Sequence, residues 1–159
     1  MENQEHLKKE LLGYLAKSHT HASLDDAIKD FPVELMNKKP EGLPYTFWGL
    51  LEHIRITQHD MVDFIQSPNY KELEWPKDYW PDGEEEATEE MWDAAIEACK
   101  IDMDTLKVLV KDPATDLLAK IPRGSGQTIL QEIMQVIDHA SYHTGEFVLM
   151  RRIFKSWKQ

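Results

Sequence analysis

The stretch Asp138-His139-Ala140-Ser141-Tyr142-His143-Thr144-Gly145-Glu146 lies inside a longer segment with helical spacing of apolar residues, from Thr128 to about Phe154. His139 and His143 are four residues apart, so on an α-helix their rings lie on one face, close enough to share a metal ion. Two imidazoles alone make an incomplete metal site. The stretch therefore predicts a long helix and a further ligand from another element, for which His53 is the best candidate.

The bulk properties limit the class of protein. A chain of 159 residues suits one domain, 1–159, and its 42% hydrophobic and 30% charged content is ordinary for a soluble globular protein. The formal net charge of -11 disfavours binding to nucleic acid or to an anionic membrane. Cys99 is the only cysteine, so no internal disulfide can form. With no apolar signal core at the N-terminus and no run of about 20 apolar residues, the cytoplasm is the expected compartment.

Four long segments carry a helical apolar period, and no strand pattern competes with them. The last begins at Thr128, which with Gln131 fits a capping box. The other three are Glu5 to about Lys17, Thr46 (as N-cap) to about Ile65, and Thr88 to about Val110 or Lys111. A short helix from Leu24 to about Asp30 follows a Ser23 cap. This pattern predicts an all-α four-helix bundle.

The connections are uneven in length. Residues 67–87 form a long irregular segment, which in a compact domain is usually functional or a crossover, and its tryptophans are expected to pack over a helix end. Residues 121–126 are rich in turn formers and favour a hairpin-like loop. Gly145, inside the last helix, predicts a close approach by another helix.

A helical wheel tests where the histidines point. With His139 at zero, His143 falls at about 40° and the apolar stripe centres near 90°, so both border the buried face. His53 borders the stripe of its own helix in the same way, whereas His59 lies about 120° away and is predicted to be exposed. Residues at the margins of facing stripes can meet at the mouth of an interhelical cleft, where bundles place metal sites. Three neutral imidazoles leave coordination positions open, as in catalytic sites, and suit Zn, Ni, Cu or Fe.

Other kinds of site fit the sequence poorly. A zincin motif needs Glu directly after the first histidine, where this chain has Ala140. A di-iron bundle needs Glu three residues before its histidines, and none of the histidines on these helices has one. Cys99 is expected to be a small buried hydrophobic residue.

The residues resemble one family. The motif Asp138-His139-x-x-Tyr142-His143-x-Gly145-Glu146, followed by Leu149-Met150-Arg151-Arg152, is similar to that of the DinB superfamily, as is the helix entry from Gly42 to His53. The resemblance covers about residues 5–155. It implies a bundle in up-down-down-up order with long connections, often dimeric, and a divalent metal held by three histidines, here His53, His139 and His143. Glu146 stands where relatives often carry Gln.

Two hypotheses of different kinds follow. The first is a metal-dependent enzyme of the thiol S-transferase or hydrolase type, with Zn or Ni favoured. The resemblance supports it, because some members of the superfamily are metal-dependent thiol transferases or isomerases that use low-molecular-weight thiols such as bacillithiol or mycothiol. Its partners would be a small-molecule thiol or electrophile and a second copy in a homodimer. Supporting or acid–base roles fall to residues within about 60° of a ligand on the wheel, namely Asp60, Glu132, Tyr142 and Glu146, for which solvated surface positions are the alternative. The second hypothesis is a non-catalytic metal-binding or protein-interaction bundle, and a plain bundle with three packed histidines is a third.

Overall fold

The computed structural model describes residues 2–16, 20–83 and 85–158. Within these ranges the chain is all-helical and has no strand, which confirms the predicted all-α class. None of the helices in this part of the chain combines the length and the apolar character needed to cross a lipid bilayer. The five α-helices are α1 (Glu2–Ala16), α2 (Leu24–Ile28), α3 (Phe47–Gln66), α4 (Glu89–Lys111) and α5 (Ile129–Ile153).

The three longest helices begin where the sequence predicts. The hydroxyls of Thr46, Thr88 and Thr128 accept hydrogen bonds from backbone N–H groups three residues later, at 3.0, 3.2 and 3.2 Å. Each bond satisfies an N–H group that the first helical turn leaves without an internal partner.

Some helix ends differ from the prediction. α1 begins at Glu2 rather than Glu5, and its expected end at Lys17, like Glu84 in the long connection, lies outside the described residues. α2 ends at Ile28 rather than near Asp30, because the backbone leaves the helical region at Lys29, whose ψ is 134°, and Asp30 then has a φ of 50°.

The hydrophobic core consists of two clusters that lie at different levels along the long helices. The first includes Phe47 and Leu51 of α3 and Phe147 of α5, and the second includes Val62 of α3 and Ile133 of α5. Between these levels both helices carry buried polar side chains, namely His53, Thr57 and Gln58 on α3 and His143 and Thr144 on α5. Buried polar groups need partners, so this band is where a polar site can be built.

The connection from 67 to 87 is irregular except for one turn of 3-10 helix, Lys77–Tyr79. The hydroxyls of Tyr70 and Tyr79 donate to the two carboxylate oxygens of Asp60, at 3.0 and 2.8 Å, and so fasten the connection to α3. Its tryptophans do not both pack over a helix end as expected. Trp75 is 68% exposed, and Trp80 lies on a histidine ring.

Two smaller predictions concern loops and glycine. Residues 121–126 do form a hairpin-like loop, closed by a backbone hydrogen bond of 2.9 Å from Ile121 to Gln127. The close helix approach expected at Gly145 is wrong. A Cβ atom built there meets no atom within 4 Å, because Gly145 lines an open groove rather than a helix contact.

Candidate metal centre

Three histidines converge in the polar band between the core clusters. His53 of α3 faces His139 and His143 of α5, and each ring offers a nitrogen within 4.8 Å of the others. The Nε2 atom of His53 lies 3.1 Å from that of His139 and 3.2 Å from that of His143. His53 and His143 are buried and His139 is half-buried. The structure thus brings together the three side chains that the sequence singles out.

The His53 ring is fixed by the long connection. Its Nδ1 lies 2.7 Å from the backbone oxygen of Tyr79, and because a carbonyl can only accept, Nδ1 carries the proton. The indole of Trp80 lies flat on the same ring, with centroids 3.8 Å apart and planes at 2°. Consecutive residues of one loop therefore set both the tautomer and the tilt of His53.

The His143 ring is fixed from its own helix. Its Nδ1 lies 2.6 Å from Oε2 of Glu146, and because a carboxylate oxygen accepts, Nδ1–H of His143 donates this hydrogen bond. The carboxylate of Glu146 also accepts a hydrogen bond from the hydroxyl of Tyr45, and burial, with that bond, raises the pKa of Tyr45. Tyr45 in turn stacks on Trp80, with centroids 5.3 Å apart. His53, Trp80, Tyr45, Glu146 and His143 therefore form a closed circuit of contacts around the site.

This circuit decides what the Nε2 atoms can bind. With Nδ1–H of His53 donated to the Tyr79 carbonyl and Nδ1–H of His143 donated to Glu146, the neutral form of each ring presents an Nε2 lone pair to the other. Two lone pairs about 3 Å apart repel unless a cation lies between them. Around a tetrahedral ion with bonds of about 2.05 Å, ligand nitrogens are about 3.3 Å apart. The separations of 3.1 and 3.2 Å that join His53 to the other two histidines are close to this value, and the ligand nitrogens of all three lie within 4.8 Å of one another, so the cluster could hold one divalent metal ion.

A proton is a poor substitute for that cation. Burial, helped by the proximity of His143 and His53, lowers the pKa of His139 to about 3. Burial also lowers the pKa of His53, against the Tyr79 carbonyl, which acts in the other direction. At neutral pH both rings are therefore held in the neutral form that a metal ion needs.

The other candidate residues have different places. Glu146 contacts His143 directly, and Tyr142, which is 65% exposed, lies edge-on to the His143 ring with centroids 4.8 Å apart. Asp60 reaches the site at one remove, through the hydroxyl of Tyr79. Glu132 is buried, and burial, followed by the charge of Asp60, raises its pKa. In the described part of the chain no hydrogen bond joins Glu132 to the histidines.

Sequence reasoning missed the roles of Tyr45, Tyr79 and Trp80. Each lies outside the long helices, so no periodic pattern relates it to a histidine. The available signal was the aromatic dipeptide Tyr79-Trp80 in a connection too long to be a plain link.

His59 and Cys99, which the sequence analysis left out of the metal site, also lie outside the histidine cluster in the structure. The exposed ring of His59 lies 3.1 Å from Oδ1 of Asp102 on α4, away from the cluster. Cys99 is buried, as predicted, and burial raises the pKa of its thiol to about 12, so it is not a nucleophile at neutral pH.

Three histidines that converge from two long helices of an all-helical chain form a cluster that could hold a metal ion. A family model for the DinB superfamily matches residues 16–147, and the chain belongs to that superfamily. No curated protein and no solved structure matches the chain in the corresponding searches.

Proposed function

We propose that this chain binds a divalent metal ion through His53, His139 and His143, and that the loaded site is a metal-dependent enzyme of the thiol S-transferase or hydrolase type. The observation that carries the proposal is that the Nε2 atoms of His53 and His143 converge while their Nδ1–H groups donate to the Tyr79 carbonyl and the Glu146 carboxylate. Zn or Ni is the metal we favour, since imidazole suits both. The substrate class is a small-molecule electrophile, with a low-molecular-weight thiol or water as nucleophile.

A divalent metal bound there would lower the pKa of a thiol or of water, giving a nucleophile at neutral pH. The chain's own residues supply orientation. The Tyr79 carbonyl and the Glu146 carboxylate hold the Nδ1 protons of His53 and His143, which makes these rings better donors at Nε2. Trp80 and Tyr45 cover one side and exclude water. The exposed ring of Tyr142 offers an aromatic surface to a substrate beside His143.

In the transfer reaction, the thiol sulfur forms a bond to the electrophilic carbon as the bond to the leaving group breaks, and the thiol proton passes to solvent. In the hydrolase variant, the oxygen of water takes the place of sulfur. Asp60 and Glu132 lie away from the histidines, which favours Glu146 and Tyr142 for the roles nearest the reacting atoms.

A second candidate, a non-catalytic metal-binding bundle, is favoured by the burial of the site. His53 and His143 are 2% and 8% exposed, and Trp80 covers a whole face of His53, so a substrate can approach from few directions. Such a centre would stabilise the bundle instead of turning over a substrate.

The experiment compares purified wild-type protein with His139→Ala/His143→Ala, and with the control His6→Ala/His59→Ala, which removes two exposed histidines. We expect about one bound Zn or Ni in wild type and control, and loss of that metal in the site variant. Equal metal content in all three proteins would refute the site. Consumption of thiol and electrophile, or of an ester, by loaded wild type and control but not by the site variant supports the enzyme. Metal binding without turnover across these panels supports the second candidate.

We further propose the up-down-down-up helix order of the superfamily. Its support is the core. The N-terminal halves of α3 and α4 share one cluster with the C-terminal half of α5, and their other halves share the second cluster. α1 is antiparallel to α4, as indicated by a 2.7 Å hydrogen bond from Lys8, in the N-terminal half of α1, to the Asp112 carbonyl at the C-terminus of α4. A homodimer and a cytoplasmic location remain proposals, which light scattering and cell fractionation test.

A further inference from the structure

A groove between α2 and α5 lies on the side of α5 opposite the metal centre. At about 100° per residue, Ser141, Val148 and Arg152 in its wall lie about 160–200° round the helix from the midpoint of His139 and His143. Its volume of about 720 Å³ falls within the range of small-molecule sites. Gly145 contributes no side chain, which keeps this part of the groove open.

The groove is a cationic patch on an acidic protein. The chain carries a net charge of -11, yet the groove is lined by four cationic side chains against two carboxylates, those of Asp26 and Asp30. The Asp26 carboxylate already accepts hydrogen bonds from the backbone N–H and the hydroxyl of Ser23, at 3.0 and 2.8 Å. The four cations are Lys29, Arg151, Arg152 and Lys158. Such a local excess of positive charge favours an anion.

Arg151 adds a buried charge to the groove wall. It is only 3% exposed, and its two terminal nitrogens donate to the carbonyls of Ala27, Lys29, Asp30 and Ser156 at 2.7–3.2 Å. Among the described residues, its Nε–H has no hydrogen-bond partner. Burial lowers the pKa of Arg151 and the charge of nearby Asp30 raises it, so the guanidinium has a spare donor and a partial counter-charge rather than a hydrogen-bonded carboxylate.

A second cavity, of about 440 Å³, adjoins the groove and lies between α1, α4 and α5. The two spaces share His21, Ala22, Ser141 and Thr144 in their walls. Most of the accessible lining of the second cavity is apolar, although Asp25 and Lys100 also line it, and the ammonium of Lys107 donates to Asp104 at 2.9 Å. Its apolar side chains include Leu15, Ile28, Ile96, Met103 and Ile137. The combined space has one cationic end and one apolar end.

We propose that this space binds a small amphipathic anion. Its oxyanion head, carboxylate or phosphate, lies among Lys29, Arg152 and Lys158, close to Arg151, and its apolar body extends past Ser141 and Thr144 into the cavity. Charge-assisted bonds fix the head, and burial of apolar surface holds the body.

The test uses calorimetric titration of the full-length protein with decyl phosphate, decanoate, decanol and inorganic phosphate. The groove variant is Lys29→Gln/Arg152→Gln/Lys158→Gln, and the control Lys71→Gln/Lys111→Gln/Lys120→Gln removes the same charge from exposed positions elsewhere. A His139→Ala protein separates this site from the metal centre.

We expect stoichiometric binding of decyl phosphate or decanoate, weakened at least about tenfold in the groove variant and less than about twofold in the control. The tighter of the two anions identifies the head group. The proposal is overturned if neither anion binds wild type, if decanol binds as tightly as the anions, or if inorganic phosphate alone matches decyl phosphate. Equal loss in both triple variants, or loss in His139→Ala, also overturns it, since the anion then responds to overall charge or occupies the histidine centre.

Discussion

Replacing Glu146 tests whether the contacts around the histidines tune metal binding. Its Oε2 lies 2.6 Å from Nδ1 of His143, and its side chain is 27% exposed, so solvent screens the charge only in part. Removing such a partner typically weakens metal binding 10–100-fold, or about 1.4–2.7 kcal/mol. We expect Glu146→Ala to fall in this range. Glu146→Gln keeps an oxygen acceptor without the charge, and because neutral hydrogen bonds are about half as strong, it should lose about 3–10-fold.

The assay is Zn affinity by competition with a chromophoric chelator, supported by thermal unfolding with and without metal. A tenfold weaker affinity should lower the metal-dependent stabilisation by about 1.4 kcal/mol at saturating metal. Asp138→Asn is the matched control, because it removes one exposed carboxylate from the same helix. Wild-type affinity in Glu146→Ala would refute the reasoning. Equal losses in Glu146→Gln and Asp138→Asn would show that overall charge, rather than the contact with His143, sets the affinity.

Three further predictions concern polar side chains that are buried or that anchor a loop. Asp60→Ala removes the acceptor for two tyrosine hydroxyls, including that of Tyr79, so we expect a loss of about 1–3 kcal/mol in urea denaturation and faster proteolysis within 67–87. Burial raises the pKa of Glu132 above 4.5, so the folded chain holds this proton more tightly than the unfolded chain and loses stability as pH rises. Glu132→Gln should therefore be more stable than wild type at neutral pH and as stable as wild type below about pH 4. The control Glu97→Gln should leave stability unchanged at both pH values. Arg151→Met strands four backbone carbonyls and should cost at least about 3 kcal/mol in urea denaturation, and an unchanged midpoint would contradict the assigned hydrogen bonds.

The long helices were predictable from the sequence, because their apolar residues recur with the helical period. Apolar period and N-caps place the starts of α3, α4 and α5, because both are local properties of the chain. The end of α2 lies two residues before the predicted one, because the backbone leaves the helical region at Lys29 and is left-handed at Asp30. The role assigned to Gly145 was wrong, because whether a glycine meets a helix or open space depends on where the other elements lie.

The histidine cluster was predictable in two steps of different kinds. The spacing of His139 and His143 fixes their common face by helix geometry alone. The inclusion of His53 depends on the packing of α3 against α5, which the wheel indicated through the margins of two apolar stripes. The partners of these rings were not predictable in the same way, because Tyr79 and Trp80 belong to a connection without a period.

The closed circuit of contacts makes the long connection part of the metal centre. If only the helices positioned the ligands, changes between residues 67 and 87 would leave the Nε2 separations unchanged. Instead, the Tyr79 carbonyl holds the Nδ1 proton of His53, and Trp80 sets the tilt of its ring. Asp60 holds Tyr79 in place from α3, so the helix that supplies the ligand also fixes the loop that orients it. The contacts therefore link helix packing, loop anchoring and ring tautomer, so the chain itself orients the three rings that could hold a metal ion.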